Sequence, residues 1–298
     1  FQLDGNHRFI VQGWYVTHNT WCSCVIFLYK LAVASLMRNP QNFLGLSEGS
    51  SIVYSVLSVT KSVVAETAFG DLQNFMSRSP YFLEACHFDP DSKYSNYRIE
   101  LPGNIMINAG SKGQHVIGRN TMGVMLDEGN WRLESSPDLK AYKLYDEVRT
   151  RIKNRFQKVA GFLPAISILA SSARDESSFT EKVIKDITDA NDLKTEKVYR
   201  FAIYQIKRHL LTLKTRWFKV TYGIKNIDPS ILGGWYTEDG SPINDGTPID
   251  SVPNGVKTEL VPEDYLDSFQ RNTKTALQSV CGISTGGSHL LFASTADV

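Results

Sequence analysis

The chain has 298 residues, room for one large or two ordinary domains and a sizeable core. A formal net charge of +1, with 21% charged and 11% aromatic residues, argues against a chain-wide polyanion binder but leaves local basic faces open. No apolar run reaches the ~18 residues of a membrane span; the longest, residues 25–36, is broken by Lys30.

Residues 9–11 (Phe-Ile-Val) read as a strand and 20–37 as a helix ending before Asn39-Pro40. Residues 52–59 are β-branched and follow the turn-like 48–51, so they read as a buried strand. A helix is predicted over 62–78 from Val63, Val64, Ala68, Leu72, Phe75 and Met76. Residues 97–101 and 105–108 flank Pro102-Gly103 as a hairpin. Residues 122–126 form a continuously apolar strand, 138–158 a long helix and 166–170 another buried strand. This alternation predicts an α/β domain with a mostly parallel sheet. From about residue 195 the pattern changes: Val198, Phe201, Ile203 and Tyr204, then Phe218, Val220 and Tyr222, suggest strands. A turn-rich stretch follows, and then two short helices at 262–270 and 273–280. The expected division is a core over 1–195, a smaller subdomain over 196–285 and the start of a linker over 286–298. The chain opens on Phe without a leader pattern and reads as a fragment of a longer protein.

Cys22, Cys24, Cys86 and Cys281 lack the paired spacing of a zinc site, and the six histidines are scattered, with no metal spacing at His87 or His115. Small buried thiols in a reducing compartment are the expected state.

Residues 121–130, TMGVMLDEGN, carry the strongest chemical signal. An apolar strand runs directly into Asp127-Glu128, the arrangement that delivers one carboxylate to Mg²⁺ and a second to an attacking water. The chain turns at the carboxyl edge of a sheet, so both acids can face the crevice where α/β sheets bind ligands. Alone, the pattern equally describes a strand entering a loop. Some forty residues on, a second apolar strand ends in Ser171-Ser172, either a γ-phosphate-sensing strand end or an ordinary strand before a helix cap at Ser177 or Ser178.

The order of these pieces is that of an additional-strand P-loop NTPase. On this order the chain resembles the large subunit of bacteriophage terminase over nearly its whole length. The resemblance rests on Asn39-Pro40 with Gly45-Leu46, on Ser79-Pro80-Tyr81-Phe82, and on GSKGQHVIGRNTMGVMLDEGNW, RIKNRF, ILASSARDESSF, FKVTYG and VPEDYLDSFQRNTKTALQSVCGIS. It implies an ATPase using ATP and Mg²⁺ to translocate double-stranded DNA through a portal into a capsid. The implied partners are the portal protein and the small terminase subunit. A homo-oligomeric ring would act in the host cytoplasm and, transiently, at the procapsid, and a nuclease domain would begin beyond residue 298. Asp127 would hold Mg²⁺, Glu128 would position water, and Ser171 and Ser172 would belong to the coupling strand.

The same resemblance puts a phosphate-binding loop at GWYVTHNT, residues 13–20. Gly13 and Thr20 match, and Thr20 would reach the metal. His18 replaces a glycine that lets backbone pass close to phosphate, and Asn19 replaces the phosphate-binding lysine. No Lys or Arg lies between Arg8 and Lys30. Three accounts stay open: an impaired site; one rescued by Lys61, Lys112 or a neighbouring subunit; or an altered sequence, although no simple frame shift of Thr-His-Asn-Thr yields lysine. Lys112, in a glycine loop, could equally touch DNA or the nucleotide or mark an exposed turn. Arg149, Arg151, Lys153, Arg155 and Lys158 form a basic run that is either a solvated face, a DNA-phosphate contact or an arginine acting on a neighbour's ATP. Arg119 is the other arginine-finger candidate. The alternative from another class is a nucleotide-fold module that binds DNA or a packaging partner and hydrolyses nothing.

Overall fold

The computed structural model describes residues 2–3, 9–10, 19–58, 60–90, 97–111, 119–128, 141–156, 165–174, 176, 178–189, 198–208, 211, 215–223 and 228–286. The chain divides by its contacts into two compact units, one of residues 17–171 and one of residues 1–16 with 172–298. The elements, in chain order, are β1 (Gln2–Leu3), β2 (Phe9–Ile10), α1 (Asn19–Ser35), α2 (Pro40–Phe43), β3 (Ile52–Leu57), α3 (Lys61–Glu66), α4 (Ala68–Ser77), β4 (Arg98–Leu101), β5 (Ile105–Gly110), β6 (Asn120–Asp127) and α5 (Ala141–Phe156). After these come β7 (Ile166–Ala170), α6 (Phe179–Asp189), α7 (Ile203–Ile206), β8 (Trp217–Tyr222), β9 (Ser230–Ile231), β10 (Lys257–Pro262), α8 (Leu266–Arg271) and α9 (Thr273–Val280). Together they make a mixed α/β protein with one mostly parallel sheet and a smaller antiparallel one.

The unit of residues 17–171 is built on five strands in the order β4-β5-β3-β6-β7. β3 pairs parallel with both β5 and β6, and β6 pairs parallel with β7; only edge strand β4 runs antiparallel. All six residues of β3, Ser55 among them, are buried, as expected for a central strand covered on both faces. The β4–β5 hairpin turns through Pro102, Gly103 and Asn104, where the last two take φ of 78° and 56°. Glycine and asparagine tolerate that left-handed backbone better than other residues.

α1 buries Cys24, Phe27, Leu28, Leu31 and Ala34, a stripe at helical spacing. Its inner face meets Tyr54 of β3 through an edge-on contact with Phe27, ring centroids 5.4 Å apart. The Tyr54 hydroxyl donates to the Lys30 carbonyl at 3.4 Å and to Met122 Sδ at 3.2 Å. α4 packs beside α1: the Cys24 thiol donates to the Ala68 carbonyl, and Trp21 meets Phe75 edge-on at 5.3 Å. The single helix expected over 62–78 is broken at Thr67, whose ψ of −106° leaves the helical region while its hydroxyl bonds the Val63 carbonyl. α5 turns Val148, Ile152 and Phe156 inward.

The expected opening strand is present as β2, but it pairs antiparallel with β1 in a two-stranded sheet and is not among the five strands. In the unit that includes residues 172–298, β10-β8-β9 form an antiparallel sheet around Trp217, Phe218, Val220, Val261 and Phe269. Residues 203–206, read as strand from their apolar content, form the helical turn α7, where the Ala202 N–H donates to Gln205 Oε1 at 2.9 Å. Tyr204 is there buried edge-on against Trp217. β10 was not legible in the sequence, because only its last residues are fully buried. Among the described residues no helix is long and apolar enough to cross a membrane.

Candidate functional site

A one-residue bulge determines which acid faces α1. Val53 lies level with Thr121 on β6, but Tyr54 lies level with Gly123, so Met122 is the extra residue. Beyond the bulge, alternation places Gly123, Met125 and Asp127 on the face of the sheet that carries Tyr54, the face covered by α1. Without the bulge Leu126 and Glu128 would take that face.

Asp127 accordingly meets the first turn of α1: the Thr20 hydroxyl donates to Asp127 Oδ1 at 3.0 Å. Asp127 is 4% exposed. Burial pushes its carboxyl pKa above the ordinary 3.8; the hydrogen bonds from Thr20 and from the Glu128 backbone N–H partly oppose this, and the nearby Asp71 carboxylate adds to it. The same surroundings raise the Cys24 thiol, by burial first and then by Asp71 and Asp127. Among the described residues, the partners of Asp127 are neutral donors and another acid, with no cation.

Glu128 follows the strand with φ of 53°, a left-handed backbone that costs a non-glycine residue about 1–3 kcal/mol and concentrates at functional sites. The chain therefore turns at Glu128, leaving both acids at the carboxyl edge of the sheet. Asp127 is level with Ala170 on β7, and Ser171 and Ser172 continue directly from that strand.

Gly13 and His18 lie outside the described residues; Asn19 opens α1, and nothing is described of its side chain. Lys112 also lies outside them. Lys61 holds its ammonium 3.9 Å above the Tyr97 ring. Arg119 is exposed and precedes β6, so the whole strand, roughly 25 Å at 3.3 Å per residue, separates it from Asp127. Arg149 is half-buried and Arg151 exposed, both in the middle of α5. Asp71 was not legible as a site residue. It sits in the first turn of α4, where an acid ordinarily complements the helix dipole, and only the packing of α4 brings it near Asp127.

The Thr20–Asp127 pair suits a small hard cation. Octahedral Mg²⁺ binds oxygen at about 2.0–2.1 Å, which puts adjacent ligand oxygens about 3.0 Å apart. The two side-chain oxygens, 3.0 Å apart in the hydrogen bond that joins them, are compatible with that spacing. Among the described residues no cluster of three His, Cys, Asp or Glu side chains could hold a metal, so most of the remaining coordination would come from water or from a ligand.

The other unit has a cleft of about 560 Å³ lined in part by Glu181, Arg200, Tyr222, Lys257 and Glu259. Its polar groups engage one another: Arg200 pairs with Glu181 at 2.6 Å, Ser284 donates to Glu181 at 2.6 Å, and Tyr204 donates to Glu259 at 2.5 Å. This pattern reads as structural cross-linking.

No family model, curated protein or solved structure matches the chain.

Proposed function

We propose that the five-stranded sheet and the helices packed on it belong to the core of an additional-strand P-loop ATPase, and that the chain is the ATPase region of a DNA-packaging motor of the terminase large-subunit type. The observation that carries this reading is the Thr20–Asp127 hydrogen bond, which joins the start of the first helix to the end of the acid-bearing strand. Two residues separated by 107 positions meet, and in this reading the metal would be held between them.

In this reading Thr20 and Asp127 hold Mg²⁺, which when bound would neutralise charge on the β- and γ-phosphates of ATP. Glu128 accepts a hydrogen bond from the attacking water and orients it. Gly13, His18, Asn19 and Thr20 form the phosphate loop, and Ser171 and Ser172 relay loss of the γ-phosphate. Arg119, at the far end of β6, is suited only to acting on a nucleotide of another subunit, whereas Arg149 and Arg151 are candidates for either that role or DNA-phosphate contact. A motor of this kind grips double-stranded DNA through its phosphates, independently of sequence and sensitively to salt. It would work as a homo-oligomeric ring with a portal protein and a small terminase subunit, in the host cytoplasm and at the procapsid.

His18 and Asn19 favour a second reading, a module that keeps the fold and binds DNA or a packaging partner without turnover. Loss of one electrostatic donor at an active site costs about 10²–10³ in rate. The test is ATP binding and hydrolysis by the wild-type chain, by Glu128→Gln and by the His18→Gly, Asn19→Lys double variant. The motor reading expects Glu128→Gln to bind nucleotide without turnover and the double variant to hydrolyse faster than wild type. Binding without hydrolysis in all three would favour the second reading, and unchanged hydrolysis in Glu128→Gln would remove Glu128 from its assigned role.

A further inference from the structure

Ser58 is fully buried, and its hydroxyl has no hydrogen-bond partner among the described residues. A buried hydroxyl left unpaired is costly and calls for an explanation. Its place in the sheet supplies one. Leu57 is level with Leu126, and Ser58 continues the chain of β3 as its N–H donates to the Gly110 carbonyl at 3.3 Å. Ser58 is thus level with Asp127 on the neighbouring strand. Alternation from Tyr54 through Val56 puts it on the same face. Adjacent strands lie about 4.8 Å apart, so its hydroxyl stands beside the carboxylate that meets Thr20.

Among the described residues Ser55 Oγ, Asn108 Nδ2 and Ser167 Oγ are also buried without partners, but they differ in position. They share one row across the opposite face, behind the row of Leu57, Gly110, Leu126 and Leu169 that separates them from the carboxyl edge. Ser58 alone of the four lies at the edge and on the face of Asp127.

Resting on the metal site proposed above, we infer that Ser58 is a positioning residue whose hydroxyl oxygen accepts a hydrogen bond from a water bound to the divalent cation held by Thr20 and Asp127. Mg²⁺ gives up its waters reluctantly and usually keeps several. Those waters are strong donors and need acceptors, and a buried hydroxyl oxygen with both lone pairs open is one. The hydroxyl oxygen lacks a donor without the metal and gains one with it, so removing it should act oppositely on the metal-free and metal-bound protein.

The test uses the full chain and Mn²⁺ alone, titrated by electron paramagnetic resonance, so that nucleotide affinity and turnover play no part. Ser58→Ala should weaken Mn²⁺ binding about 3- to 10-fold, the loss of roughly one hydrogen bond. The same variant without metal should melt no lower than wild type, and up to about 4 °C higher. Asp127→Asn serves as the control and should abolish the specific binding. If Asp127→Asn weakens Mn²⁺ binding while Ser58→Ala leaves it unchanged, the role of Ser58 is wrong and the metal site stands. If Asp127→Asn has no effect, the metal site itself fails and the inference falls with it.

Discussion

Gly123→Ala is the substitution whose consequence the structure sets most sharply. A Cβ at this position would lie 2.2 Å from Tyr54 Cδ1 and 2.6 Å from Cε1, about 1.2 Å inside the 3.4 Å edge of ordinary contact. The ring cannot simply swing away. Tyr54 is fully buried, meets Phe27 edge-on at 5.4 Å, and its hydroxyl is tied to the Lys30 carbonyl and Met122. Overpacking a tight core costs about 1–3 kcal/mol, and a clash with a pinned ring belongs at the upper end, about 3 kcal/mol. For a chain of this size that is a fall in Tm of about 6–12 °C. The assay is thermal and denaturant unfolding of wild type, Gly123→Ala, Tyr54→Leu and the double variant. With the ring removed, Gly123→Ala should cost less than about 1 kcal/mol, a coupling of about 2 kcal/mol. Equal cost in both backgrounds would refute the account of why glycine is needed.

Three further outcomes are expected. Thr20→Val removes the side-chain donor to buried Asp127 and should destabilise the metal-free protein by about 1.5–3 kcal/mol, read from the denaturation midpoint; no change would mean the pair does not form in solution. Glu259 is raised above its ordinary 4.5, chiefly by burial and against the opposing Tyr204 hydrogen bond. Its folded-state preference for the proton is fully present below pH 4.5 and lost as pH rises through the raised folded value. Glu259→Gln keeps an acceptor for Tyr204 and should flatten that decline in a Tm-versus-pH series, matching wild type in acid and exceeding it at neutral pH; parallel curves would contradict the shift. Cys24, Cys86 and Cys281 are buried, and burial pushes the Cys281 thiol up to about 12. At pH 8 a disulfide reagent should reach these three only on unfolding, leaving half-exposed Cys22 as the thiol titrated in the native protein.

Much of the α/β pattern follows from the sequence itself. The largely apolar, β-branched run that begins at 52 and the apolar run at 122–126 cannot be covered on one side alone, so they become central parallel strands. Pro102-Gly103-Asn104 sets the hairpin by its backbone preferences, and the stripe from Cys24 to Ala34 sets the inner face of α1. Asp127-Glu128 stands out only in the order of its neighbours, because two acids directly after an apolar strand equally describe a strand entering a loop. Where apolar content outran periodicity, the reading failed: residues 203–206 bury Tyr204 as a helical turn, and Thr67 splits a helix whose spacing looked continuous.

What only the tertiary structure decided is which of the two acids meets α1. Side chains alternate along a strand, so a single extra residue reverses every position beyond it. Nothing in the run Thr121-Met122-Gly123 announces that Met122 is extra; the bulge arises where Tyr54 of the neighbouring strand lies across the space left by Gly123. That packing turns Asp127 toward Thr20, brings Asp71 near through α4, and sets the Ser58 hydroxyl beside the same carboxylate. These relations join residues tens of positions apart, and they exist only once the sheet is assembled and the helices have packed against it.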